Sequence, residues 1–515
     1  MALLTGFSAL GAVACLLFAA ACLTSLKAIQ RLWFHPLAKV PGPWYAAISS
    51  FYEFWWDCPQ AGRYWVKIEE MHKNYGPIVR INPWEVHIND PAFMDTLFSN
   101  SRMQKDSFFY GGFGIDTAAF STVSADLHRV RRGAMANFFS KASITKLEPR
   151  VLSRVKQLCG RLQKCRDEGK PADLSNAYRC LATDVTTDYA VPNTRNFLDD
   201  PEFKKGFNGT IRDASAIINW NRHIPFLFPL VRSMPRSLVA HFDKDGKTTE
   251  LIDYEQDLYK MARAVVDNEK SKETPTILNA IFEAPNLPTS EKTFKRVMDE
   301  TQTVIGAGTE TTGNTLAVMT YHLLTNPPAL QKLKAELTQA AETAGIAPFG
   351  ILTCKIVEPL PYLQATLKEA LRMAIGVCGR LPRVNPDATM TYNAPNRQSY
   401  TIPSGYAVSM SIPDIHFDPD VFTIPRAFNP DRWLNASPSE LARMDKSFVP
   451  FGRGARQCIG LELAKQEILL VAANVFRNFE MELWETTARD IEFVNDFFAP
   501  FMPHDRKGVW VKIKG

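Results

Sequence analysis

The residues most able to do chemistry stand together in Phe451-Gly452-Arg453-Gly454-Ala455-Arg456-Gln457-Cys458-Ile459-Gly460. One cysteine sits on a glycine-punctuated loop that runs directly into a helical stretch, Leu461 to Arg477. Gly454 and Gly460 permit positive φ and a close approach of the backbone to a flat ligand. The helix N-terminus offers free N–H groups and a positive dipole end, both of which favour an anionic sulfur. A thiolate held at fixed height and shielded from water is what a haem iron requires of an axial ligand. Arg456, two residues before the sulfur, is placed to pair with an anionic rim such as a haem propionate. A buried structural thiol is the common fate of a free cysteine; the pattern around Cys458 argues against it here.

Three further groups carry chemistry. Glu369 and Arg372, in Glu369-Ala370-Leu371-Arg372, share one helix face and are close enough to pair, and Pro430-Asp431-Arg432-Trp433 lies between them and Cys458. Ile305-Gly306-Ala307-Gly308-Thr309-Glu310-Thr311-Thr312 puts two glycines inside the longest helical stretch, where each costs about 1 kcal/mol against alanine. Helices carry that weakness where a neighbour packs closely, with threonine back-bonding to the preceding turn, or where a turn opens for a ligand. His128-Arg129-Val130-Arg131-Arg132 opens another helical stretch, and Arg383 follows Arg380-Leu381-Pro382.

This set, in this order, resembles the cytochrome P-450 family, the haem-thiolate monooxygenases. The cysteine segment matches F-x-x-G-x-R-x-C-x-G, and the others resemble the family's E-x-x-R, P-E-R-F, A-G-x-D/E-T and W-x-x-x-R elements. The likeness runs over almost the whole chain. It implies a mainly α fold with a minor β part, the triangular fold of the family, preceded by a transmembrane helix. It implies haem b (iron protoporphyrin IX) ligated by Cys458, with Phe451 in the same cofactor-binding loop and Arg456, His128, Arg132 and Arg383 toward the propionates. His128 stands where the family often has Trp and keeps a ring N–H. Glu369, Arg372 and Arg432 are implied to form a buried triad, left untouched by Asp431 and Trp433 in place of the commoner Glu and Phe. The glycine-bearing helix is implied to cross the haem face through a widened turn. There Thr311 would hydrogen-bond the oxygen being cleaved and Glu310 would relay protons from solvent.

These residues must be positioned by a large, mostly helical body. The chain has 515 residues with an ordinary balance of apolar and charged side chains, enough for a substantial core. A net charge of +5, with no block of Lys and Arg interleaved with aromatics, gives no reason to expect nucleic-acid binding. Nine scattered cysteines without a C-x-x-C pair disfavour a disulfide framework or a zinc site and fit a reducing compartment. Helical period marks Val151–Glu168, Ile252–Glu269, Thr293–Leu323, Pro328–Ala344 and Pro361–Met373. A hairpin is expected from Gly76–Asn82 and Trp84–Ile88, with further strands at Thr389–Tyr392, Ser399–Ile402 and Val509–Ile513.

From Ala2 to Leu26 no residue is charged, and a run of that length spans a bilayer. A cleaved signal peptide would have a basic start and a shorter apolar run. Three regions follow: a membrane anchor over 1–26, a basic flank and proline hinge over 27–45, and a catalytic domain over 46–515. Lys27 and Arg31 place the flank in the cytosol by the positive-inside rule. The expected site is the endoplasmic reticulum membrane, single-pass, with the catalytic domain cytosolic.

The resemblance implies insertion of one oxygen atom of O2 into a lipophilic small molecule. No nucleotide or flavin module is visible, so electrons must come from a separate protein; the resemblance implies an NADPH-cytochrome reductase, with cytochrome b5 a second candidate donor. Trp33-Phe34-His35-Pro36-Leu37 and the strands around Arg80 look most like fungal secondary-metabolism members, which act on terpenoids or polyketides. By analogy the pocket is lined from Phe108 to Phe120, Ile217 to Val231, Thr303 to Thr311, near Val384, and from Phe497 to Met502. Two other readings stay open: an O2-independent haem-thiolate isomerase or dehydratase, and a non-enzymatic membrane haem protein.

Overall fold

The computed structural model describes residues 9–192, 195–235, 237–238, 243, 246–271 and 276–514. Residues 1–8 of the expected anchor lie outside the described residues. Helix α1, Ala9–Ile29, continues as a π turn over Gln30–Phe34, so helical winding runs past Leu26, where the sequence placed the anchor's end. It stops at Phe34; His35 is extended, as the ring of Pro36 requires of its predecessor. The stretch Gly11–Phe34 has a mean hydropathy of 2.1 and none of it is buried. Among the described residues it is the one helix long and apolar enough to cross a membrane.

The hinge is docked rather than free. Leu37 and Val40 are buried among the sheet residues Ile78, Val86 and Ile88. Arg80 donates from Nη1 to the Arg31 carbonyl at 2.8 Å, and its amide donates to Pro41 at 2.7 Å.

The helices that frame the site are α2 (Ala125–Ala136), α3 (Lys141–Asp167), α4 (Leu174–Ala190), α5 (Lys205–His223), α6 (Lys247–Ser271), α7 (Phe294–Leu324), α8 (Pro327–Thr343), α9 (Pro361–Ala374), α10 (Ile412–His416) and α11 (Leu461–Asn478). The strands are β1 (Ile78–Asn82), β2 (Glu85–Ile88), β3 (Gln104–Lys105), β4 (Ala172–Asp173), β5 (Arg383–Val384), β6 (Met390–Asn393), β7 (Ser399–Ile402), β8 (Ala407–Ser409), β9 (Met481–Leu483), β10 (Asn495–Phe497), β11 (Ala499–Phe501) and β12 (Trp510–Ile513). The main sheet has the order β1-β2-β8-β5-β3. In it β2 runs parallel to β8 and the other pairs are antiparallel. A second sheet orders β4-β12-β9, and β6/β7 and β10/β11 are hairpins. The molecule is thus mainly α with a minor β part, as the sequence predicts.

One apolar core joins α3, α4, α7, α9 and α11, and a smaller one lies under the main sheet. The most extensive helix–helix packing is that of α4 on α7. A Cβ at Gly308 would lie 2.5 Å from Thr186 Oγ1, and one at Gly313 2.5 Å from Arg179 Cγ. The small residues in α7 therefore let α4 approach.

Candidate active site

The loop before α11 is held by its own backbone. The Cys458 amide donates to Phe451 at 2.8 Å, Gln457 to Gly454 at 3.0 Å, and Gly452 to Val449 at 2.9 Å. Gly454 has φ +72°, and a Cβ there would meet the Phe98 carbonyl oxygen at 2.1 Å; no other residue fits. Gly460 has φ −84°, so the left-handed freedom expected there is not used. The Cys458 sulfur faces a cavity of about 800 Å³. Protein encloses it on the other sides, and this burial raises the thiol's pKa. The Gly460 N–H and the Arg132 charge act in the opposite direction without cancelling it. The helix terminus is therefore not enough to hold the sulfur as an anion, and a bound metal cation would complete the task.

At one edge of the cavity stand five basic side chains: Lys105 on β3, His128 and Arg132 on α2, Arg383 on β5, and Arg456. Arg456 donates to the carbonyls of Thr122 (2.5 Å) and Val123 (2.8 Å), Arg132 to Gln457 O at 2.7 Å, and Arg383 to the Tyr110 hydroxyl at 3.0 Å. Lys105 donates to Phe120 O and lies 3.9 Å from the Tyr110 ring centroid. None forms an ion pair with a carboxylate among the described residues. Burial, then the neighbouring arginines, lower the Arg456 pKa to about 10. Burial and then Arg456 press His128 to about 3, so its ring is neutral. Burial and the three arginines push Lys105 well below its ordinary value. Such a cluster lacks an anion. A thiol on the floor and unpaired cations on one rim fit a flat macrocycle with two carboxylates. Lys105 belongs to this set although nothing in its sequence neighbourhood marks it.

On the opposite wall α7 presents Gly306, Ala307, Glu310 and Thr311. The turn expected to be widened is closed: α7 is continuous, and Thr311 Oγ1 donates to Ala307 O at 2.9 Å. Of the two glycines, Gly308 serves helix packing, while a Cβ at Gly306 would meet nothing within 4 Å. Glu310 is not free. Arg179 on α4 holds it through Nε to Oε2 at 2.8 Å and Nη2 to Oε1 at 2.5 Å.

The remaining wall is apolar. Tyr110, Phe113, Phe120 and Phe498 make edge-on ring contacts at 4.9–5.8 Å. The expected lining segments contribute, and near Val384 the lining residue is its neighbour Arg383. Ile211, Ala214 and Ser215 of α5 and Tyr254 of α6 were not foreseen. In the segment 224–231, Phe226 and Leu230 are exposed.

Glu369, Arg372 and Arg432 meet away from the cavity. Arg372 binds Glu369 through Nη2–Oε1 at 2.8 Å and Nε–Oε2 at 3.1 Å, and Arg432 Nε reaches Oε1 at 3.0 Å. The Asn429 amide adds a bond at 2.9 Å. Burial works to raise the Glu369 pKa, but the two arginines outweigh it and hold the carboxyl below its usual range. Trp433, expected to leave the triad alone, does not: its Nε1–H donates to Glu369 Oε2 at 2.9 Å. Asp431 does stay apart, pairing with Lys332 at 2.9 Å.

The same conclusion comes from likeness to known proteins. The Cytochrome P450 family model matches residues 49–502. The chain is 37% identical over 501 residues to a cytochrome P450 monooxygenase of Ascocoryne sarcoides, covering 94% of this chain and 95% of that protein. It is 37% identical over 492 residues to the tryptophan 6-hydroxylase fscE of Fusarium equiseti, covering 95% and 94%. It is 35% identical over 469 residues to the conidiogenone synthase of Penicillium rubens, covering 90% and 91%. A thiol-bearing cavity with an unbalanced basic rim, inside a chain matched from end to end of these proteins, has one account: this chain belongs to the cytochrome P450 family of monooxygenases.

Proposed function

We propose that Cys458 is the axial ligand of a haem b, and that the chain inserts one O2-derived oxygen into a lipophilic substrate in fungal secondary metabolism. The observation that carries this reading is the convergence, in one cavity, of the Cys458 sulfur with five basic groups that have no acid. Arg132, Arg383, Arg456, neutral His128 and Lys105 would hold the two propionates. When bound, the haem supplies the redox chemistry of O2 activation.

The chain's own residues then bind, exclude water and move protons. Phe113, Phe120, Phe498 and α5 close an apolar chamber over the reacting face, which suits an uncharged terpenoid or polyketide. Beyond the five rim groups the cavity's remaining basic residue, Arg453, is already paired with Asp95 at 2.7 Å, leaving none among the described residues to pair with a substrate carboxylate. Thr311 holds a proton at Oγ1, now donated to Ala307 O, and can redirect it into the cavity. Glu310 lines the cavity but its carboxylate is held by the Arg179 fork, so it can pass a proton to Thr311 only when that fork opens.

Electrons would come from NADPH through an NADPH-cytochrome reductase, with cytochrome b5 a second candidate. With α1 as the anchor, the catalytic body would lie on the cytosolic side of the endoplasmic reticulum. The test is reconstitution with a fungal reductase, NADPH and a panel of lipophilic compounds under ¹⁸O2. The expected result is substrate-stimulated NADPH oxidation and product carrying a single labelled oxygen. Turnover without O2 would identify an isomerase or dehydratase instead. NADPH oxidation that no compound stimulates would identify a non-catalytic haem protein.

A further inference from the structure

Helix α10 is short, yet both its ends are tied to distant parts of the chain. At its start Ser411 Oγ lies 3.0 Å from His87 Nε2, and His87 Nδ1 lies 2.8 Å from His72 Nε2. At its end stands His416, fully buried. Its Nδ1 is 3.2 Å from the Arg372 carbonyl oxygen, and its Nε2 is 3.0 Å from the Val449 amide nitrogen. A carbonyl only accepts, so Nδ1 carries the hydrogen; an amide only donates, so Nε2 is bare. The ring is therefore the neutral Nδ1–H tautomer. Burial and the Arg372 charge, which press its pKa to about 3, agree with this.

The contact is reciprocal. Arg372 Nη1 donates to the His416 carbonyl at 2.8 Å, while His416 donates back to the Arg372 carbonyl. The ring also stacks on Phe448, with centroids 5.9 Å apart and planes at 16°. Val449 begins the cysteine loop: its carbonyl accepts from Gly452, and Phe451 O accepts from Cys458 N. An unbroken path of bonds thus runs from Glu369 through Arg372, His416 and Val449 to the cysteine. His416 is its only side chain that touches both the triad and the loop.

We propose that His416 is a positioning residue for Cys458: it fixes the loop through the Val449 amide and transmits the rigidity of the triad to the height of the sulfur. This inference rests on the reading of Cys458 as the haem ligand. Without an acceptor at Nε2, the Val449 amide would be a buried donor with no partner, and the loop would relax to find one. The sulfur would then sit off the haem axis and be lost more readily as a ligand.

Two substitutions separate the two bonds. The side-chain amide of His416→Asn reaches about where Nδ1 is, so it keeps the bond to Arg372 and loses the one to Val449. That of His416→Gln reaches about where Nε2 is, so it keeps the bond to Val449. Both full-length variants are purified in detergent, their unfolding temperatures compared, and their dithionite-reduced carbon monoxide spectra recorded. The expected result is a several-fold larger share of the unshifted Soret band in His416→Asn than in His416→Gln, which stays near wild type, at similar unfolding temperatures. A His416→Asn spectrum equal to wild type would overturn the proposal. So would equal losses in the two variants that follow their loss of thermal stability. A wild-type protein without the red-shifted band would instead strike at the haem-ligand reading itself.

Discussion

Glu369→Gln is expected to prevent accumulation of stable haem-containing protein. Glu369 is wholly buried and takes bonds from Arg372, Arg432, Trp433 and the Asn429 amide. The amide is the same size but leaves two guanidinium groups in the core with no counter-charge. Its NH2 also points a donor at a donor. Removing one partner of a buried ion pair costs about 3–5 kcal/mol, a large part of a total stability of about 5–15 kcal/mol. Trp433→Phe is the graded control. It removes one bond to the charged acceptor, about 1.5–3 kcal/mol, and should give folded protein with a lower unfolding temperature. Thermal unfolding and haem content of the two variants check this. A Glu369→Gln protein as stable as Trp433→Phe would show that the carboxylate charge is not what holds the triad.

Thr311→Ala should leave the fold intact and uncouple the reaction. Alanine is the better helix former, and the Ala307 carbonyl keeps its backbone partner in a continuous helix. What is lost is the hydroxyl proton facing the cavity. A positioned proton donor contributes about 10²–10⁴-fold to a step that needs it. NADPH oxidation should continue, product should fall by about a hundredfold or more on that scale, and hydrogen peroxide should rise to account for the difference. Thr311→Ser should restore most of the coupling. The Thr309 hydroxyl is not available in its place, because its Oγ1 is paired with Thr183 at 2.8 Å. Unchanged coupling in Thr311→Ala would remove Thr311 from proton delivery.

Helices whose apolar residues recur every three or four positions were readable: α6, α7, α8, α9 and α11 lie within a few residues of their expected bounds. Helix α4 was not, although it is the principal partner of α7. It reads Leu-Ser-Asn-Ala-Tyr-Arg-Cys-Leu-Ala-Thr-Asp-Val-Thr-Thr-Asp-Tyr-Ala, and nearly every one of these residues is buried. Its polar groups are satisfied by remote partners: Arg179 by Glu310, Asp184 by the amides of Phe197 and Leu198, Thr183 by Thr309. Periodicity counts apolar residues and cannot see such pairings.

The site shows the same division. The Cys458 loop was legible because glycine and cysteine spacing is local. Lys105 was not, because its companions on the basic rim come from β5, α2 and the cysteine loop. Trp433 carries a usable signal in its sequence context: a buried indole N–H requires an acceptor, and Glu369 of the same motif set is the one it finds. The opposite lesson comes from α7, whose glycines suggested an opened turn. Gly308 and Gly313 instead make room for α4, while Gly306 has open space beside it.

The most direct test of the account is the carbon monoxide difference spectrum of the reduced, detergent-solubilised protein, recorded beside Cys458→His. The account predicts a strongly red-shifted Soret band in the wild type and its loss in the variant, with haem still bound by the basic rim. An unshifted band in well-folded wild-type protein, or a shifted band that survives Cys458→His, would contradict it.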